Sequence, residues 1–316
     1  MPPSARIAAA ASLGIAAAVA VYAVAVERRA YRVRREVVPV LAPGADPIRV
    51  LHLSDLHLAP WQHEKVEWVR SLAALKPDLI IDTGDNLGHG DALPALVEAL
   101  MPFDGVPGVF VHGSNDYFAP TPKNPLRYLM GPSKGETETA VRLDTEGLEA
   151  LLHGRLGWHS LNNAVAQLTI NGSILEFMGT ADAHRGWDRL DRLPGLVDAL
   201  RELDVDDTDD PAVMIGVTHA PYQRVLNAFT TQRADIIFAG HTHGGQVCLP
   251  GGGAIITNCD LPRDRARGLS VWNHAHHASY LNVSAGIGTS IYAPVRVACP
   301  PEAVLVTLVG DDIGYS

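Results

Sequence analysis

The hydrophobic pattern divides the chain in two. From Ile7 to Val26, twenty successive residues carry no charge, and many are alanine or valine. As a helix this stretch spans about 30 Å, one hydrocarbon core. From Ile48 onward the pattern changes to short apolar runs that end in polar, chemically capable residues. Ile48–Leu53 leads into Ser54-Asp55-Leu56-His57, and Asp78–Ile81 into Asp82-Thr83-Gly84-Asp85-Asn86. Val106–Val111 leads into His112-Gly113-Ser114-Asn115-Asp116, and Ala212–Val217 into Thr218-His219-Ala220-Pro221. Asp235–Ala239 leads into Gly240-His241-Thr242-His243-Gly244-Gly245-Gln246. Runs of this length, bounded by Gly and Pro, read as buried strands. Helical patterns lie between them at Glu64–Leu75, Ala92–Met101, Gly195–Leu203 and Tyr222–Phe229. Strand–helix alternation predicts a layered α/β fold. Ligands in such folds bind beyond the carboxyl ends of the strands, so the alternation itself gathers the five polar clusters.

The rest of the pattern sets the boundaries. Residues 1–36 read as a membrane anchor with a basic flank, and 48–316 as one folded domain. Between them, 37–47 reads as a linker, with Pro39, Pro43, Gly44 and Pro47. Within the domain, Tyr117–Gly157 is long and rich in Pro, Gly and Lys, and reads as a lid-like insertion. Its Lys123, Arg127 and Lys134, beside Leu126, Tyr128, Leu129 and Met130, suit a lipid head group or plain solvent equally well. Asp204–Asp210 holds five aspartates and reads as a solvated loop. Ala254–Leu308 alternates strand-like runs with turns and reads as a second sheet layer.

Charge sharpens the division. The 316 residues carry a formal charge of −10. Residues 1–36 hold six arginines against Glu27 and Glu36, a net of +4, which leaves −14 for the remainder. So acidic a body excludes a general nucleic-acid binder. Arg28, Arg29, Arg32, Arg34 and Arg35 all follow the apolar run, which places its C-terminal side in the cytoplasm as a single-pass anchor. The alternative is an exported protein whose leader is cleaved after Ala23-Val24-Ala25. Three cysteines are too few for a disulfide framework, whereas fourteen histidines raise the question of metal ligands.

The strand-end clusters supply Asp55, His57, Asp85, Asn115, His219, His241 and His243. Carboxylate, amide and imidazole donors suit intermediate divalent metals such as Mn, Fe or Zn. Seven donors exceed one tetrahedral site. They fit two divalent metal ions that share a bridging carboxylate and together clamp a phosphoryl group.

The ordered succession Asp55-x-His57, Gly84-Asp85, Gly113-Ser114-Asn115-Asp116, Thr218-His219 and Gly240-His241-Thr242-His243 resembles the calcineurin-like metallophosphoesterases. The likeness runs from about Ile48 to Leu308. The Gly240–Gln246 string, with Gly286-Ile287-Gly288-Thr289-Ser290 and Pro300-Pro301-Glu302, resembles their YkuE-like membrane-associated subgroup. The resemblance implies a four-layer α/β/β/α sandwich. It implies one metal on Asp55, His57 and His243, another on His219, His241 and the amide of the third motif, and Asp85 bridging them. A water activated between the metals would then attack phosphorus in line with the leaving group.

One motif departs from the family pattern. The family has Gly-Asn-His-Asp/Glu at the third position, with Asn as ligand and His near the leaving group. Here Ser114 stands in place of the Asn, and Asn115 in place of the His. Either Asn115 swings in as ligand or Ser114 ligates weakly; amide oxygen is the better neutral donor. Both leave the usual histidine missing, and an amide is no general acid at neutral pH. His184 takes that part if the fold brings it near, and Asp116 is expected to orient a neighbour. His52 and His112, within apolar runs, read as packed residues. His274, His276 and His277 read as a solvated turn. Asp82 either supports the site or caps a turn.

These observations point to a membrane-anchored metallophosphoesterase acting on a phosphomonoester, phosphodiester or pyrophosphate, lipid- or nucleotide-linked. The rivals are a non-catalytic metal-binding scaffold on the same fold and a phosphoprotein phosphatase.

Overall fold

The computed structural model describes residues 3–122, 141–203, 212–249, 251 and 253–311. The insertion's basic and apolar residues from Lys123 to Lys134, and the Asp204–Asp210 run, fall outside them. Two six-stranded sheets form a mixed α/β fold. The first contains β1 (Arg32–Leu41), β2 (Ile48–Leu53), β3 (Leu79–Asp82), β4 (Gly108–Phe110), β5 (His159–Ser160) and β12 (Glu302–Gly310), in the order β1-β12-β2-β3-β4-β5. The second contains β6 (Val165–Ile170), β7 (Ser173–Gly179), β8 (Val213–Thr218), β9 (Ile236–Ala239), β10 (Gly268–His274) and β11 (His277–Val283), in the order β10-β11-β9-β8-β7-β6. Strands β2 to β5 are parallel, as are β7, β8, β9 and β11.

The helices are α1 (Pro3–Val21), α2 (His63–Ser71), α3 (Leu93–Leu100), α4 (Thr145–Glu149), α5 (Leu193–Leu203) and α6 (Gln223–Thr231). Three apolar cores set their places. Val66, Val69, Leu96 and Leu100 of α2 and α3 pack on Leu51, Leu53 and Ile80 of the first sheet. Ile48, Val50 and Val306 of that sheet meet Phe177, Ile215 and Ile236 of the second. On its far face the second sheet receives Leu193 and Val197 of α5, and Val225, Leu226 and Phe229 of α6. Central strands covered on both faces need apolar residues at every position, which is why they read as unbroken runs.

Three expectations are corrected. Val37–Leu41 is not linker but part of β1, which begins in the basic flank and pairs in parallel with β12. Its partner lies some 270 residues away, and Arg32 and Arg34 bond to Glu302 there rather than serving only as a charged flank. Pro39 is tolerated because β1 is an edge strand whose register shifts at that point. Second, the tail does not form one layer: β10 and β11 join the second sheet, but β12 inserts antiparallel beside β2 in the first. Third, the expected transmembrane helix is not found: among the described residues, no helix is long and apolar enough to cross a membrane. Helix α1 gives way to a π-helical turn at Tyr22–Val26 and a 3-10 turn at Glu27–Arg29. That end docks on the body. Ala23 is buried, its carbonyl accepts from the Arg296 N–H, and Glu27 Oε1 accepts from the Cys299 N–H at 2.6 Å.

Candidate metal centre

The turns after β2, β3, β4, β8 and β9 converge, and those after β2, β3 and β9 carry their chemistry in turns too sharp for ordinary backbone. Asp55, His57, Asp85, His241 and His243 all adopt positive φ, between 41° and 67°. Such left-handed conformations cost non-glycine residues energy and persist at sites where surrounding structure enforces them. Two glycines make the crowding possible. A Cβ at Gly113 would collide with Asp85 Oδ1 and the His219 ring, and one at Gly240 with Ser54 Oγ and Asp55 Oδ2.

The donors face one another. His57 Nε2 lies 3.3 Å from His243 Nε2 and 3.4 Å from Asp85 Oδ2. His243 Nε2 is 3.6 Å from Asp55 Oδ1, and His219 Nε2 is 3.6 Å from Asp85 Oδ2. His241 Nδ1 is 3.3 Å from His219 Nε2. Asp55, His57 and His243 offer atoms that all lie within 4.8 Å of one another, and so do Asp55, Asp85 and His219. Asp85 Oδ2 thus stands between His57 and His219. Atoms bound to one ion at about 2.1 Å are about 3 to 3.4 Å apart, close to the 3.3 to 3.6 Å found here. Asp55 Oδ1 is buried with no hydrogen-bond partner among the described residues. The donor set and its orphaned oxygen therefore fit divalent metal.

Surrounding groups fix four of the ligands, His219, His241, Asp55 and Asp85. His219 Nδ1 bonds the Thr83 carbonyl at 2.7 Å, and His241 Nε2 approaches the Asn258 carbonyl at 3.3 Å, which turns the opposite nitrogens toward the centre. Ser54 Oγ and the His241 N–H donate to Asp55 Oδ2. Asp116 accepts from the N–H groups of Asp85, Asn86, Leu87 and Gly113, so its carboxylate ties the second motif to the third. Asp82 accepts from the Gly84 N–H and from Asn86 Nδ2, and so supports the site by holding its turn. The Asn115 amide donates to Asp85 Oδ2 at 2.7 Å, and its N–H to Oδ1 at 2.8 Å, while Ser114 is buried beside it.

Burial, the largest influence, pushes His57 down to about 4 and His243 to about 3, and holds His241 well below its ordinary value. These rings stay neutral, as metal ligands must be. Burial also opposes ionisation of Asp85, but His219, His57 and the Asn115 hydrogen bonds outweigh it and hold the carboxyl well below the usual range. At His219, burial is outweighed by Asp85, Asp182 and Asp55, which raise the ring to about 9. A metal ion would supply the positive charge that this proton otherwise brings.

The calcineurin-like phosphoesterase family model matches residues 48–245. The chain belongs to that family. It is 29% identical over 274 residues to "Uncharacterized protein YpbG" of Bacillus subtilis (strain 168), covering 85% of this chain and 84% of that one. It is 25% identical over 272 residues to an "Uncharacterized metallophosphoesterase" of Aquifex aeolicus (strain VF5), covering 85% and 87%. Among solved structures, TT1561 of Thermus thermophilus aligns with a TM-score of 0.42 at 13% identity, covering 77% of this chain and 91% of that one.

In this calcineurin-like chain the strand-end residues named above come together. His184 joins their rim: its ring centroid is 4.5 Å from that of His241, and Nδ1 lies 3.0 Å from Tyr222 Oη. His52 is packed in the core, bonded to Thr83 and Asn282. His112 is buried and pairs with Glu149 at 2.7 Å. His274 and His277 pair at the ends of β10 and β11, and His276 lies in the exposed turn between them. Sequence reasoning missed Asp182, which is buried, raised to about 6 mainly by burial, and electrostatically linked to His219 and Asp85. It follows the end of β7, so the same strand-end rule would have found it. Asn258 and Lys65 had no such signal. Lys65 is buried, and its Nζ donates to the carbonyls of Leu56 and His57, bracing the first motif.

Proposed function

We propose that this chain is a dimetal phosphoesterase that hydrolyses phosphodiester or pyrophosphate bonds. The observation that carries this reading is the buried set of Asp55, His57, Asp85, His219, His241 and His243, with donor atoms 3.3 to 3.6 Å apart and Asp85 between its halves. Asp55, His57 and His243 would hold one ion, His219, His241 and Asn115 the other, and Asp85 both. Such ions act as Lewis acids at phosphoryl oxygens and lower the pKa of bound water. The chain's own residues position and protonate. Asp116 holds the Asp85 turn, Asn115 steadies the Asp85 carboxylate, and His184, steadied by Tyr222, offers a proton to a departing group of high basicity. Mn, Fe and Zn all suit the donors.

The apolar leader with its basic flank inserts into the cytoplasmic face of a membrane, a reading supported by its composition and exposed side chains and not by a spanning helix, which the described residues lack. Ile15, Val19, Val21, Val24 and Val26 are exposed, an apolar surface that water does not favour. The docked Ala23 and Glu27 support retention of the leader over cleavage and export. Alkaline extraction of membranes, with mass measurement of the mature chain, tests this: retention predicts an intact chain in the membrane fraction.

The deciding assay loads the full chain with Mn, Fe or Zn and offers aryl monoesters, aryl diesters and lipid pyrophosphates. The proposal predicts two ions per chain and turnover favouring diesters or pyrophosphates. Two ions without turnover on any ester would instead favour a scaffold, the reading that Asn115 in the third motif supports.

A further inference from the structure

A groove of about 710 Å³ opens beside the metal centre, walled by Tyr117, Phe118, Arg142, Glu146, Ala181 and Trp187. Its two sides adjoin the site directly. Tyr117 follows Asp116, and Ala181 precedes Asp182. The groove is built as a set of flat surfaces. Tyr117 meets Trp187 edge to face at 5.1 Å, and Phe118 lies 6.3 Å from Trp187. A backbone bridge between Phe118 and Arg142 pins one wall. Two guanidinium groups approach the Phe118 ring, Arg142 at 5.9 Å and Arg185 at 5.8 Å from its centroid. Arg185 Nε and Nη1 are buried without hydrogen-bond partners among the described residues. Buried donors of this kind call for an acceptor, and a guanidinium fork matches a phosphoryl group.

We propose that this groove holds the leaving portion of the substrate, and that this portion is a nucleoside phosphate. The base stacks on the indole of Trp187, Glu146 accepts from its N–H edge, and Arg185 with Arg142, both held against Phe118, binds the phosphoryl group that does not react. The inference rests on the phosphoesterase reading of the adjoining centre and names its substrate class, a pyrophosphate-linked nucleotide. An acyl chain fits less well: among the described residues the walls offer aromatic rings, a cation and acids, with Leu143 and Ala181 the only aliphatic ones. In the reaction, water oxygen bonds to the reacting phosphorus, and the bond from that phosphorus to the bridging oxygen breaks. The bridging oxygen keeps the electron pair and departs on the nucleotide, while the water proton passes to solvent. A phosphate is a weakly basic leaving group and departs unprotonated, which agrees with an amide, Asn115, at the third-motif position where the family carries histidine.

Calorimetry on the full chain tests the proposal, with ADP, UDP and inorganic pyrophosphate as probes. Base stacking on aromatic walls is worth roughly tenfold to hundredfold in affinity. ADP or UDP should therefore bind at least about tenfold tighter than pyrophosphate. Trp187→Ala should erase that preference and Trp187→Phe restore most of it, which separates lost stacking from lost folding. Arg185→Gln should weaken both nucleotides and pyrophosphate. Equal binding of ADP and pyrophosphate, or a preference untouched by Trp187→Ala, overturns the proposal. A chain that turns over aryl diesters yet shows no nucleotide preference refutes the groove and spares the phosphoesterase reading. A chain that binds nucleotides through Trp187 yet cleaves no ester does the reverse.

Discussion

Two buried polar clusters lie close together in this molecule and behave in opposite ways. In the metal centre, acids and imidazoles converge with Asp55 Oδ1 and His57 Nδ1 left without partners among the described residues. In the cluster behind it, Glu302 spends both oxygens: Oε2 on Arg32 at 2.9 Å, and Oε1 on Arg34 and the Ala285 N–H. Arg296, fully buried, donates to the carbonyls of Cys299, Ala285, Gly286 and Gly288. Opposite charges and matched donors make the second cluster nearly self-sufficient, with Arg296 Nε its one unpartnered atom among the described residues. The first turns carboxylate oxygens and imidazole nitrogens toward one another, acceptors that a cation would satisfy. Buried charge whose partners come from the chain is architecture, and buried charge whose partners are lacking is a site.

The sharpest way to break this contrast is Asp85→Ala. It removes the oxygen shared by both halves of the centre, so metal content, read by elemental analysis, should fall from two ions to one or none. Turnover should fall by about a thousandfold, the several kcal/mol that metal stabilisation of phosphoryl charge supplies. Full activity in this variant would end the two-metal reading.

Glu302→Gln tests the other side. It takes a charged partner from both Arg32 and Arg34, although Arg34 keeps Glu36 at 2.7 Å, and loss of buried hydrogen bonds to a charged group costs about 2 kcal/mol. Urea unfolding should show that loss while metal content is kept. The effect should depend on pH. Burial disfavours the Glu302 carboxylate, but Arg34, the Ala285 N–H and Arg32 outweigh it and hold its pKa below 4.5. A depressed folded pKa contributes stability above the unfolded value, lost as pH falls through the folded one. The gap between wild type and variant should therefore shrink as pH drops below about 4.5.

Asp116→Asn joins both themes, since it changes a charge that holds ligands without touching metal. It weakens four N–H bonds that shape the Asp85 and Asn115 turns, and loss of such support typically costs about 10- to 100-fold in metal affinity. Competition with a metal indicator dye reads this. A loss of melting temperature with unchanged affinity would place Asp116 in the architecture instead.

The contrast also explains what could be read from the sequence. Metal ligands sit on turns one to four residues beyond apolar strands, so Asp55, Asp85, His219 and His241 announce themselves locally. The same local rule gives β2, β3, β8 and β9 nearly to the residue. The self-sufficient cluster is assembled from Arg32, Arg34, Arg296 and Glu302, and no local pattern links residues so far apart. That is why β1 reads as a flank and linker, and why β12 is assigned to the wrong sheet. The β6–β7 hairpin, by contrast, carries a local signal. Asn171-Gly172, between Val165–Ile170 and Ser173–Gly179, is a two-residue turn signal, and both residues take positive φ.

The smallest expected effect concerns whether the leader belongs to the architecture. Glu27 is 4% exposed although it lies just past a helix on which Ile15, Val19 and Val21 are exposed, and its Oε1 holds the Cys299 N–H. Cys299 in turn receives a hydrogen bond from Arg296 at its carbonyl, and Arg296 grips the Gly286 and Gly288 carbonyls behind Asp55. Glu27→Gln keeps the size of the side chain and removes the charge from one hydrogen bond, so it should cost about 1 kcal/mol in unfolding. Because Arg296 keeps its other carbonyl partners, metal affinity should stay within about threefold of wild type, below the tenfold that 1.4 kcal/mol represents. A stability loss with metal binding intact would join the leader to the self-sufficient cluster. A larger loss of metal would mean that the leader's docking reaches Asp55 through Arg296, and the two clusters would then have to be treated as one.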